Sequence, residues 1–214
     1  EMCIRDSYKV SGDIPTPGGA FPAAGDQVVL YNHSSQGVLA GQDDNAGSPS
    51  ITSAAAELTD GKAAAANGGR VFTVEKNGDY YRFKTAHDGY LCSNGTGNNA
   101  FYTQTASDDA DWLVRTCSGG VGGYELESRT AKYKGHSQWL EYYSDSFKVY
   151  SMYNVTDYTI YSFFFYPVAD GVNVDGGLVV QPTITFPETM LPAYVGDDYE
   201  FDLSLIHISE PTRL

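Results

Sequence analysis

Three stretches of the chain alternate apolar and polar side chains with the period of two that marks a half-buried strand. They are Val28-Val29-Leu30-Tyr31-Asn32, Tyr81-Arg82-Phe83-Lys84-Thr85 and Tyr124-Glu125-Leu126-Glu127-Ser128. Each puts two apolar residues on one face and ends in a small polar residue suited to a turn. Gly25-Asp26 and Gly78-Asp79 precede the first two, and Gly122-Gly123 precedes the third. A second strand is predicted after a polar turn, at Gly37-Val38-Leu39, Gly89-Tyr90-Leu91 and Gln138-Trp139-Leu140. A weaker third falls around Ile51 or Leu58, then at Phe101-Tyr102-Thr103-Gln104 and Phe147-Lys148-Val149-Tyr150. A fourth closes each group at Val71-Phe72-Thr73-Val74, Trp112-Leu113-Val114 and Phe163-Phe164-Phe165-Tyr166.

The openings at Leu30, Phe83 and Leu126 lie 53 and 43 residues apart, so the pattern is a threefold internal repeat. Three units of four short strands predict an all-β chain folded as a β-trefoil-like barrel over residues 25–169. Six strands close a barrel without exposed edges and three hairpins cap it. Each unit adds a few apolar residues to one shared core, so no unit is expected to fold alone. The Ala-rich stretch 54–66 has helical propensity, but Gly61 and Asn67-Gly68-Gly69 interrupt it. It is read as a long loop with at most one helical turn.

The flanks read differently. Residues 1–7 and 203–214 resemble translations of the two strands of a transposase adapter used in sequencing libraries, and are expected to be artefact rather than evolved polypeptide. Residues 8–24 carry Pro15, Pro17, Gly18, Gly19 and Pro22, a flexible linker composition, and 170–182 is a second turn-rich linker. Residues 183–202 resemble the opening strands of a bacterial immunoglobulin-like domain, cut short. The evolved part is thus expected to be a fragment of a longer reading frame.

Composition narrows the function. The 13 basic and 27 acidic residues give a net charge of −14. Without the two terminal stretches, which hold Arg5, Arg213, Glu1, Asp6 and Glu210, 11 basic and 24 acidic residues remain, or −13. That balance excludes the basic footprint expected of a nucleic-acid or anionic-membrane partner. No apolar run is long enough to span a bilayer, so no membrane insertion is expected. The 17 Tyr, with Gly, Asn, Ser and Thr, suit twisted strands and tight turns. Cys92 and Cys117 could pair in an exported protein, though one pair of unknown geometry is weak evidence.

The stretch from Gly25 to Val168 resembles the trefoil-like modules, related in plan to ricin-type lectin domains, of large secreted bacterial proteins. The similarity rests on the opening Val28–Asn32 with Gly37-Val38-Leu39-Ala40-Gly41, and on the closures Arg70-Val71-Phe72-Thr73-Val74 and Asp111-Trp112-Leu113-Val114. It implies a secreted or cell-surface accessory module, of the kind that accompanies nucleotidase-type phosphoesterases and other extracellular hydrolases. One departure matters. Ricin-type repeats close with Gln-x-Trp, and here the equivalent places read Arg70-Val71-Phe72, Ala110-Asp111-Trp112 and a phenylalanine run.

No catalytic constellation stands out. There is no Gly-x-Ser-x-Gly, no phosphate-cradling loop and no His-Glu-x-x-His, so no enzyme activity and no cofactor are expected. His33, His87 and His136 each fall between the first and second strands of a unit, in solvated turns. Asp43-Asp44-Asn45 and Asp108-Asp109-Ala110-Asp111 are oxygen-rich, as calcium loops are, but Asp43-x-Asn45-x-Gly47 lacks the later bidentate glutamate of an EF-hand. What remains is aromatic. Asn99, Tyr102, Gln104, Trp139, Tyr143 and Tyr150, with Tyr142 and Tyr153 nearby, offer flat faces for sugar C–H groups and amides for hydroxyls. The expectation is a monomeric, non-catalytic module, binding a glycan for a catalytic domain of the same parent chain. The alternative is a structural spacer or protein-interaction module in which those aromatics simply fill the barrel.

Overall fold

The alternating segments do pair as strands. The computed structural model describes residues 21–43, 49–59, 61–66, 68–93 and 98–169. The immunoglobulin-like stretch, the second linker and both adapter-like ends lie outside the described residues.

The first unit comprises β1 (Gln27–Asn32), β2 (Gly37–Asp43), β3 (Ser50–Ala54), the inserted pair β4 (Ala56–Thr59) and β5 (Lys62–Ala66), and β6 (Phe72–Asn77). The second is β7 (Tyr80–Lys84), β8 (Tyr90–Ser93), β9 (Ala100–Thr103) and β10 (Trp112–Thr116). The third is β11 (Tyr124–Tyr133), β12 (His136–Tyr143), β13 (Ser146–Tyr150) and β14 (Phe163–Pro167). All pairings among them are antiparallel. The first and last strands of the units form a ring: β1 pairs β6, β6 pairs β7, β7 pairs β10, β10 pairs β11, β11 pairs β14, and β14 returns to β1. This is a closed six-strand barrel, with the hairpins β2–β3, β8–β9 and β12–β13 as its cap. The cap is stitched by Phe147 opposite Ile51 and by a bridge between Asn99 and Lys148. The chain is therefore an all-β β-trefoil.

The physical cause is one apolar face per strand. Leu30, Phe72, Phe83, Trp112, Leu126 and Phe163 from the six barrel strands meet cap residues Leu39, Leu91, Leu140 and Phe147, each at most 1% exposed. Burying one such side chain is worth ~1.5–3 kcal/mol. Truncating a core Phe to Ala costs ~3–5 kcal/mol because the cavity does not fully collapse. Glycine matters where the hairpins close. A Cβ on Gly89, whose φ is +89°, would lie 2.1 Å from the Thr103 carbonyl oxygen, and one on Gly37 would lie 2.3 Å from Ser53 Oγ.

Three readings of the sequence need correcting. The Ala-rich stretch is a hairpin, with Ala56 opposite Ala66 and Leu58 opposite Ala63, and Ala63 bridges to Val168. A short Ala run is marginal as an isolated helix. Here its strands cover apolar residues that would otherwise face water: Val29, Tyr31, Phe164 and Tyr166 on the outer faces of β1 and β14 pack with Val38, Ala63 and Val71. That second cluster explains why β1 and β14 are apolar on both faces. Phe21, read as linker, sets its ring edge-on against Tyr81, Tyr124 and Phe165, with centroids 4.5, 5.3 and 4.9 Å away, so the packed domain starts no later than Phe21. Finally, His33 and His87 do fall in the turns after β1 and β7, but His136 opens β12. The β11–β12 ladder is longer than its equivalents and turns at Lys134-Gly135, both in the left-handed region (φ 50° and 81°) as a tight hairpin turn requires.

Among the described residues one charged side chain is fully enclosed. Asp111, 0% exposed, accepts hydrogen bonds from Arg82 Nε (2.5 Å), Arg129 Nη1 (2.7 Å) and Asn77 Nδ2 (2.9 Å). Burial opposes its ionised form, but the hydrogen bonds from Arg82, Arg129 and Asn77 outweigh burial and hold the carboxyl below its usual value. This carboxylate of the oxygen-rich Asp108-Asp109-Ala110-Asp111 run thus ties β6 and β7 to β11.

Candidate functional site

The aromatic residues of the third unit gather where strand alternation sends them. In β12 and β13, Leu140, Tyr142, Phe147 and Val149 turn inward. The opposite face pairs Trp139 with Tyr150, Glu141 with Lys148 and Tyr143 with Ser146 across the ladder. Tyr143 is 56% exposed; its ring meets Tyr150 edge-on at 6.1 Å, with Lys148 Nζ 5.8 Å from its centroid. Asn99 joins this edge through its bridge to Lys148. Glu141 is buried beside Tyr161; burial raises its carboxyl above the usual range, and the Tyr161 hydroxyl and Lys148 offset part of that.

Beside this face lies a cleft of about 300 Å³. Gly135, His136, Ser137 and Trp139 form one wall, and Ser151, Met152 and Tyr153 the other. Tyr153 is 73% exposed, and its ring lies 6.0 Å from that of His136, tilted by 33°. Trp139 is half-buried; its Nε1–H is shielded from solvent and finds no acceptor among the described residues. Lys132, opposite Ser137 on β11, donates from Nζ to Ser137 Oγ at 2.8 Å.

Of the six residues singled out in the sequence, Asn99, Trp139, Tyr143 and Tyr150 come together at the third hairpin. Tyr102 does not join them. It is 7% exposed, its hydroxyl donates to the Ala40 carbonyl at 2.9 Å, its backbone N–H goes to Gln42 Oε1, and burial holds its phenol well above the usual value. Tyr102 thus belongs to the cap interior, because alternation along β9 turns it toward β2. Gln104 is exposed beyond β9 and donates from Nε2 to the His87 carbonyl, which stitches the second unit. The sequence reading left His136 in a solvated turn and did not single out Ser137 or Lys132. Only the length of the β11–β12 ladder places His136 and Ser137 on the cleft, with Lys132 bonded to Ser137.

The same positions in the other units are built differently. The pair equivalent to Trp139 and Tyr150 is Val38 and Ala54 in the first unit, both packed into the cluster under β4–β5. In the second it is Tyr90 and Thr103, where Lys84 Nζ lies 5.2 Å from the Tyr90 ring centroid. Among the described residues no group of three metal-ligating side chains gathers, and no helix is long and apolar enough to cross a membrane. Cys92 and Cys117 are free and buried, so the disulfide considered from the sequence does not form.

No protein-family model matches this chain, and no curated protein matches it. Solved structures do resemble it in fold. A GlcNAcα1-4Gal-releasing endo-β-galactosidase from Clostridium perfringens is 13% identical with a TM-score of 0.50, over 67% of this chain and 33% of that one, so the likeness spans about a third of the enzyme. The BEL β-trefoil is 14% identical with a TM-score of 0.49, over 70% of this chain and 97% of that one. SeviL bound to the asialo-GM1 saccharide is 11% identical with a TM-score of 0.46, over 67% and 98%. At such identities the likeness concerns the fold alone.

Proposed function

We propose that this domain is a non-catalytic carbohydrate-binding module of a secreted or cell-surface protein, serving a catalytic domain elsewhere in its parent chain. The observation that carries the reading is the aromatic cleft of the third unit. His136, Trp139 and Tyr153 present ring faces and edges around a small concave site, and Tyr143 and Tyr150 extend the surface beside it. Rings of this kind take the C–H faces of sugars while nearby hydroxyls and N–H groups take the polar edge. The reading includes one site per chain, because the equivalent positions hold Val38 and Ala54 under a covering hairpin, or a Tyr90 already engaged.

A glycan array probed with the full chain tests this. Binding to a restricted set of glycans, lost in Trp139→Ala and kept in Gln104→Ala, with one equivalent bound per chain by calorimetry, is the expected outcome. The second reading, a structural spacer, draws on Tyr102, Trp112 and Tyr161, whose rings are committed to packing. Silence across the array from a chain that melts cooperatively would favour it.

A further inference from the structure

The chain carries a net charge of −14, yet none of the seven residues lining the third-unit cleft is acidic. His136, Ser137, Ser151 and Tyr153 each bring to the lining a side chain able to donate a hydrogen bond. Ser137 Oγ accepts from the Lys132 ammonium at 2.8 Å, which leaves the hydroxyl proton free to point away from Lys132. The His136 imidazole stands on the same wall. Glu127 stands opposite Trp139 on β11, and Glu141, two residues along β12, pairs with Lys148. Arg115 reaches Glu127 at 3.2 Å, closer than Lys132 at 3.8 Å, so Glu127 does not draw on the Lys132 charge alone.

We infer that the cleft recognises an anionic sugar, one carrying a carboxylate. The carboxylate would take the Ser137 hydroxyl and the field of Lys132, and the sugar ring would lie against the exposed face of Tyr153 beside His136. A neutral sugar would leave the donors without charge-assisted partners, which are the stronger kind. A cleft of about 300 Å³ holds one such ring, at the small end of ligand sites. This inference rests on the carbohydrate reading above and narrows it to a ligand class.

The chain holds two tryptophans, which makes the test direct. Trp112 is fully buried and donates to the Leu91 carbonyl at 2.9 Å, so a ligand-dependent change in emission reports Trp139. The full chain is titrated with methyl β-glucuronide and with methyl β-glucoside, its neutral counterpart. The expected result is a saturable change with the glucuronide at least roughly tenfold tighter than with the glucoside, weakening as salt rises. Lys132→Gln should weaken the glucuronide roughly fivefold and leave the glucoside unchanged, with thermal melting confirming that the variant folds. Equal affinity for the two glycosides, or indifference of the glucuronide to Lys132→Gln, overturns this inference and leaves the carbohydrate reading standing. No emission change with either glycoside, together with silence on the array, overturns both.

Discussion

Replacing Asp111 by Asn removes one charge at a site with no solvent and leaves the rest of the geometry in place. In the native domain the carboxylate holds Arg82, Arg129 and Asn77, and through them one strand from each of the three units. Breaking a buried ion pair by removing one partner costs ~3–5 kcal/mol, since the remaining charge stays unpaired. The lower end applies here, because the Arg129 side chain is 37% exposed and water can solvate it, whereas Arg82 is 20% exposed. About 3 kcal/mol in a domain of this size lowers Tm by roughly 6–12 °C. Acid sharpens the test. The native carboxyl titrates below its unfolded value of about 3.9, so its contribution is full above that pH and is lost as pH falls through the native pKa. The wild-type advantage over Asp111→Asn should therefore be constant from pH 5 to 7 and shrink below pH 4. Thermal melts followed by circular dichroism at pH 7, 5 and 3 measure it. A loss under 2 °C at pH 7, or an advantage that persists unchanged to the lowest pH, would refute the structural role given to Asp111.

Two further outcomes follow from buried groups. The Tyr166 hydroxyl is buried among Tyr31, Phe164 and Ala63 with no hydrogen-bond partner among the described residues, so Tyr166→Phe should stabilise the domain by ~1 kcal/mol, read as a higher urea midpoint; a lower midpoint would show that the hydroxyl is satisfied. Burial pushes the Cys92 and Cys117 thiols up to about 12, so the stability they support is complete below the unfolded thiol value of about 8.5 and is lost as pH climbs toward 12. In a Cys3→Ser background, a thiol reagent at pH 8 should find no reactive group in the folded chain and two after urea unfolding; rapid native labelling would place a thiol at the surface.

The polypeptide's own pattern was enough for the architecture. Period-two alternation, repeated at 53 and 43 residues, marked the opening strand of each unit and set the frame for the rest, because each strand has one face in a common core; the first unit's third strand stayed open between Ile51 and Leu58, and the fold puts it at Ser50–Ala54. What local pattern could not reveal was which surfaces the closed fold would cover. Val29, Tyr31, Phe164 and Tyr166 face outward from the barrel, and only the packing of β4–β5 against them turned an Ala-rich run into strands instead of a helical turn. Phe21 sits in a stretch of linker composition, but three distant rings form the socket that receives it. The candidate site divides in the same way. Trp139, Tyr143 and Tyr150 were legible as candidate aromatics for a sugar, while their common face on β12 and β13 came from the ladder. Tyr102 was drawn inward by the Ala40 carbonyl, and His136 and Ser137 reached the cleft because β11 and β12 extend past the threefold pattern. Contacts between residues far apart in the chain decide burial and adjacency, and a linear sequence carries those terms only through the fold that brings them together.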